Sequence, residues 1–165
     1  MDLENLFKKR EIKYISNSSK ETKRIAKSFA KELFKREKDK KRNRALIIAL
    51  KGELGGGKTT FLQGFAKGLE INEKVLSPTF VLMKKYDINL EKSPFKTFYH
   101  LDCYRIKSEA GVATLNLDEI IKNPKSLLAI EWAERIKKII EGENRIDINF
   151  KFIDKEKREI KISLN

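Results

Sequence analysis

Gly52-Glu53-Leu54-Gly55-Gly56-Gly57-Lys58-Thr59 fits G-x-x-x-x-G-K-[ST], a glycine-rich turn followed by a lysine and a hydroxyl. Such a turn can aim successive backbone N–H groups at phosphate oxygens, because glycine carries no Cβ to block the approach. Lys58 would reach the terminal phosphates, and the Thr59 hydroxyl would ligate Mg²⁺. Glu53, Leu54, Gly55, Gly56, Gly57 and Thr60 complete the segment expected against a nucleotide. Mg²⁺ is commonly held through one or two carboxylates together with waters and substrate phosphates. Ligands of open α/β sheets bind at the carboxyl ends of strands. Two acids stand at such ends: Glu131 after Leu127-Leu128-Ala129-Ile130, and Asp102 after Phe98-Tyr99-His100-Leu101. Either is a candidate metal carboxylate, and either can be an ordinary strand-end acid.

Other residues admit two readings each. Ser77-Pro78-Thr79-Phe80 can be a turn that opens a strand. It can also be a switch-like loop whose hydroxyls reach the γ-phosphate, the metal or the attacking water. His100, the only histidine, shares a strand face with Phe98 and Asp102; a lone histidine is more often structural, and nucleotide hydrolysis does not require one. Cys103 has no neighbour that would activate a thiolate and is given no role. Trp132 can shield a nucleotide site or simply pack in the core, the latter being the default. Arg105 offers a fork for phosphate or carboxylate.

These residues need a frame. Ala45–Leu50 is an apolar strand leading into the loop, and Phe61, Leu62, Phe65, Ala66 and Leu69 form one face of a helix leaving it at Lys58. Upstream, Ile12–Ile15 reads as a short strand. Ser18 and Glu21 then form a capping box for a helix striped by Ile25, Phe29 and Leu33. Strands are expected over Val81–Tyr86 and Phe95–Leu101, joined by a turn near Asn89–Pro94 as an antiparallel pair beside a parallel sheet. Ser108–Ile121 reads as helical despite Gly111, Ser126–Ile130 as a strand, and Ala133–Ile140 as a helix. In the tail, Ile146, Ile148, Phe150 and Phe152 alternate to one face, as do Ile160, Ile162 and Leu164. A turn at Asp154–Lys157 would make them a hairpin. The expected fold is α/β: a single P-loop domain with a mixed, mainly parallel sheet, flanking helices and a C-terminal hairpin.

The 165 residues suit one domain with its own core, and 40% hydrophobic content argues against global disorder. One cysteine excludes an internal disulfide and suits a reducing cytoplasm. Met1-Asp2-Leu3-Glu4-Asn5 lacks the apolar run of a signal peptide, and no stretch approaches the about 18 apolar residues of a membrane span. The net charge of +13 can attract RNA or an acidic protein, or can reflect lysine-rich surfaces. Its densest run, Lys35–Arg44, has no interleaved aromatic for base stacking and reads as a helix end with a solvated loop.

In order along the chain come the loop Gly52–Thr59 with Thr60, Ser77-Pro78-Thr79-Phe80, His100-Leu101-Asp102-Cys103-Tyr104-Arg105 and Ile130-Glu131-Trp132. This combination resembles the bacterial TsaE (YjeE) ATPase family of tRNA threonylcarbamoyladenosine biosynthesis, over about residues 12–164. The resemblance implies ATP binding and slow hydrolysis to ADP, with Mg²⁺ held by Thr59 and Glu131 and with Lys58, Asp102 and Glu131 catalytic. It places Ser77 and Thr79 in a switch-like segment, Trp132 near the nucleotide, Ser19–Thr22 beside the adenine, and Arg158 close to the same site. It implies TsaD and TsaB as partners and tRNA reached through their complex. Glu53 stands where the family often has Asp, and Gly56 where it often has Ala. The alternative is a small-molecule or nucleoside kinase, which would need an acceptor site and commonly an Arg-bearing lid. A basic RNA-binding module without enzymatic activity is a third reading, marked by salt-sensitive binding that survives loss of Lys58.

Overall fold

Strands β1 (Glu11–Ser16), β2 (Leu46–Gly52), β3 (Met83–Asp87), β4 (Thr97–Asp102), β5 (Ser126–Glu131), β6 (Arg145–Phe152) and β7 (Arg158–Leu164) form one sheet. Their order across it is β1-β7-β6-β2-β5-β4-β3. The computed structural model describes residues 9–164, so the leader reading at Met1–Asn5 lies outside it. The four central strands run parallel, and β3, β7 and β1 add antiparallel edges. The expected antiparallel pair is β3 with β4, and β4 is itself a member of the parallel set. Among the described residues, no helix is long and apolar enough to cross a membrane.

Strand alternation sends side chains to two cores. On one face Leu46, Ile48, Leu50, Phe98, Leu127, Ala129, Ile148 and Ile162 meet helices α1 (Ser19–Glu37) and α2 (Lys58–Gly68). On the other Ile47, Ala49, Leu101, Leu128 and Ile130 meet the short helix α3 (Leu117–Lys122) and two 3₁₀ turns, Glu109–Leu115 and Ala133–Ile136. Helix α1 starts as its sequence dictates: Glu21 N–H donates to Ser18 Oγ at 3.1 Å, and Glu21 Oε2 accepts from Asn17 N–H at 2.8 Å. Its stripe of Ile25, Phe29 and Leu33 is buried. Helices α1 and α2 touch through glycine: a Cβ on Gly64 would lie 2.2 Å from the Lys23 carbonyl oxygen, and one on Gly68 would lie 2.6 Å from Ala30 Cβ.

Several elements differ from expectation. The helix expected over Ala133–Ile140 shrinks to one 3₁₀ turn at Ala133–Ile136, although Ala133, Ile136 and Ile140 are all buried. Burial at these positions is reached by an irregular segment lying on the sheet. The helix over Ser108–Ile121 splits at Asn116, whose φ of 49° interrupts it. Strand β3 begins at Met83, because Leu82 takes a left-handed φ of 61°. Phe152 keeps its place in the alternation but projects past the core, 45% exposed, under the Arg158 guanidinium at 4.5 Å from its ring.

The basic run is not simply a solvated loop. The Arg42 side chain, 8% exposed, lies over the Phe95 ring at 4.3 Å and contacts Glu37. Lys35 and Arg36 face Glu32, Lys40 faces Glu37, and Arg44 grips Glu143 through two hydrogen bonds of 2.6 Å.

Cys103 is fully buried, and burial, helped by the Asp102 and Glu134 charges, pushes its thiol up to about 12. Native protein at pH 8 is therefore expected to resist iodoacetamide, with alkylation appearing only on unfolding, as mass spectrometry can read. The folded pKa lies above the thiol's ordinary value of 9.0, so this thiol's contribution to stability is intact below pH 9 and is lost as pH rises toward about 12.

Candidate functional site

The parallel register brings the chemistry to one edge. Asp102 lies opposite Glu131 across β4 and β5, and Glu131 lies opposite Leu50 of β2, just ahead of the glycine-rich loop. Parity turns His100, Asp102 and Glu131 toward the face covered by α2, whose first residues are Lys58 and Thr59. Both acids are 3% exposed.

Thr59 Oγ1 lies 2.9 and 2.8 Å from the two carboxylate oxygens of Glu131. Lys58 Nζ donates to the Gly52 and Glu53 carbonyls at 2.7 and 2.8 Å and sits 4.0 Å from the centre of the Trp132 ring. Burial lowers the pKa of this amine, against the raising effect of the Glu131, Glu134 and Asp102 charges. The switch-like segment is tied to the second acid: Ser77 Oγ and Thr79 Oγ1 both donate to Asp102 Oδ2, the latter at 2.8 Å. Tyr104 N–H donates to Asp102 Oδ1 at 2.9 Å.

These groups line one cavity of about 600 Å³. Its floor is Gly55, Gly56, Gly57, Lys58, Thr59 and Thr60, with Leu54 at the rim. Ser77, Thr79, Asp102, Glu131 and Trp132 form one side, the start of α1 at Ser19 and Thr22 another, and Arg158 a third. Of the expected residues, Glu53, Lys20, Glu21 and Arg105 do not line the cavity; the Glu53 carbonyl serves Lys58 instead, and the Arg105 guanidinium lies over the Phe80 ring at 4.6 Å.

Sequence reasoning missed Lys155 and Glu156 at the hairpin tip, Ser18 ahead of α1, and Tyr104, all of which line the cavity. The tip carries no motif, and nothing in the run His100-Leu101-Asp102-Cys103-Tyr104-Arg105 requires chemistry of Tyr104. His100, for which a structural place is the default expectation, has its Nε2 2.8 Å from Glu131 Oε1.

The residues fit a nucleoside triphosphate with a divalent cation. Gly55 and Gly57 hold φ of 73° and 100°, so the loop's curvature requires glycine at these two positions. Gly57 caps α2 without a side-chain hydrogen bond, leaving first-turn N–H groups for an anion. Among the described residues, no three His, Cys, Asp or Glu side chains gather as a metal cage. A cation held by Thr59 and Glu131 would thus rely on phosphate and water oxygens for its other positions, as Mg²⁺ commonly does.

Trp132 adopts a left-handed φ of 58° that lays its ring over Lys58 and beside Tyr104, with ring centres 5.2 Å apart. As the only tryptophan, it is expected to change emission intensity or wavelength when ATP is titrated into the wild-type protein and to stay unchanged in Lys58→Ala.

The family model for "Threonylcarbamoyl adenosine biosynthesis protein TsaE" matches residues 16–160. The tRNA threonylcarbamoyladenosine biosynthesis protein TsaE of Rickettsia bellii is 39% identical over 145 residues, covering 87% of this chain and 89% of that one. The protein of the same name from Bacillus subtilis is 35% identical over 151 residues, covering 92% and 84%. The crystal structure of Bacillus subtilis YdiB superposes with a TM-score of 0.67 at 29% identity, over 94% of this chain and 86% of that one. A match that runs from the first strand into the last places the chain in the TsaE family of tRNA threonylcarbamoyladenosine biosynthesis proteins.

Proposed function

We propose that the cavity binds ATP with Mg²⁺ and hydrolyses it to ADP and phosphate. In this reading the chain is the nucleotide-driven subunit of the machinery that makes N6-threonylcarbamoyladenosine at position 37 of tRNA. It acts on TsaD and TsaB and meets tRNA through their complex. The observation that carries the reading is the convergence of Lys58, Thr59 and Glu131 in the one cavity floored by the glycine-rich loop.

Each residue has a physical task. The loop's N–H groups and Lys58 neutralise phosphate charge in a partly water-excluded site, where electrostatic stabilisation is stronger than in water. Thr59 and Glu131 would hold the Mg²⁺ ion, which when bound neutralises charge on the phosphate oxygens. Asp102 anchors Ser77 and Thr79 at the end of β4, so the segment that a γ-phosphate would engage is fastened to an acid of the same site. Trp132 covers Lys58, and Tyr104 stands beside its ring at the cavity wall.

Purified protein is expected to release phosphate from ATP with no phosphoryl acceptor present, and to do so at a changed rate when TsaD and TsaB are added. Phosphorylation of a small acceptor with no acceptor-free release would overturn the reading in favour of a kinase. Glu131→Ala is expected to raise the Mg²⁺ needed for nucleotide binding by roughly tenfold or more. An unchanged Mg²⁺ titration would transfer the metal to Asp102.

A further inference from the structure

His100 is fully buried on β4, and its Nε2 lies 2.8 Å from Glu131 Oε1. A carboxylate offers only acceptors, so Nε2 carries the hydrogen of this bond. The other ring nitrogen, Nδ1, is buried with no hydrogen-bond partner among the described residues. Phenylalanine or leucine would fill this core position without enclosing an unsatisfied nitrogen, so what the imidazole adds is its bond to Glu131. The register supports that role. The residue directly opposite His100 is Ala129, whose methyl leaves the diagonal toward Glu131 open.

We propose that His100 is a positioning residue for the cation site, fixing the Glu131 carboxylate toward Thr59. The proposal rests on the nucleotide–Mg²⁺ reading above. The carboxylate is held at two points, by the Thr59 hydroxyl on α2 and by the imidazole on β4. A hydroxyl alone rotates and would leave the carboxylate free to turn about its last torsion. The rigid ring, locked in the sheet, removes that freedom. Partners of this kind behind a metal carboxylate typically contribute 10–100-fold in metal affinity.

The test compares His100→Phe, which keeps the shape and removes the donor, with His100→Gln, whose side-chain amide can reach the Nε2 position. Nucleotide binding is followed by calorimetry over a Mg²⁺ series and in chelator. In His100→Phe the half-saturating Mg²⁺ concentration is expected to rise by roughly 10–100-fold, with Mg²⁺-free affinity within about twofold of wild type and with His100→Gln recovering most of the loss. A residue that merely supported the fold would move both affinities together. An unchanged Mg²⁺ requirement in folded His100→Phe overturns the proposal.

Because the chain has one histidine, ¹⁵N spectra of the wild-type ring decide the matter even if the phenylalanine variant does not fold. Hydrogen on Nε2, with ring signals that shift when Mg²⁺ joins bound nucleotide, supports it; hydrogen on Nδ1 alone overturns it. Wild-type protein that binds no nucleotide would sink the nucleotide reading instead, while the ring spectrum still reports on the His100–Glu131 bond.

Discussion

Lys58→Ala is expected to lower ATP turnover by roughly 10²–10³-fold or more, the loss typical when one preorganised electrostatic donor is removed from a reacting oxyanion. Stability should change little. The amine is buried, and burial holds its pKa below the ordinary lysine value, so the charged form is not at ease in the resting fold. Its bonds go to the Gly52 and Glu53 carbonyls at the edge of an open cavity, where water can replace it. A melting temperature within about 4 °C of wild type, equivalent to about 1 kcal/mol for a chain of this size, is the expected companion result. Phosphate release at the wild-type rate from this variant would remove the loop from the chemistry altogether.

Gly64→Ala is the second large effect, and it acts on the frame. A Cβ there would stand 2.2 Å from the Lys23 carbonyl oxygen and 2.5 Å from Lys23 Cα, both backbone atoms that cannot swing aside. Alanine gains about 1 kcal/mol in helix propensity over glycine. Overpacking of this kind costs about 3 kcal/mol at the upper end of its usual range. The net loss is about 2 kcal/mol, or a fall of about 4–8 °C in melting temperature. The helix that must retreat is α1, whose first turn lines the cavity with Ser19 and Thr22, so nucleotide affinity should weaken as well. Calorimetric melting reads the first effect; a melting point equal to or above wild type would show that the helices part without cost. Gly142, with open space around its Cβ position and a φ of 77°, is the contrasting site, where asparagine should be tolerated.

The parts of the site legible in the sequence were those set by short-range rules. Strand parity puts His100 and Asp102 on one face, and the spacing of the loop puts Lys58 and Thr59 at the head of a helix, whereas the alignment of Glu131 with them rests on the pairing of β4 with β5. Capping chemistry placed the start of α1 to the residue. What could not be read depended on tertiary contact. The Ser77 and Thr79 hydroxyls reach an acid more than twenty positions away, and nothing local distinguishes them from a turn. Arg42 was lost inside a run of like charges, although the ring of Phe95 and the carboxylate of Glu37 bury it. The apolar spacing of Ala133–Ile140 promised a helix, because buried positions in an irregular cover segment can mimic helical periodicity.

Arg158 donates from Nε to the Gly55 carbonyl at 3.0 Å across a separation of 103 residues, and β7, which carries it, is the strand that pairs with β1. The loop leaves the ribosome long before the arginine that braces it and before the strand that joins β1 to the sheet. A chain whose translation stops short of that strand would carry the phosphate-binding signature without a stiffened pocket. The bracing of the glycine-rich loop therefore depends on a strand more than a hundred residues further along the chain than the loop it stiffens.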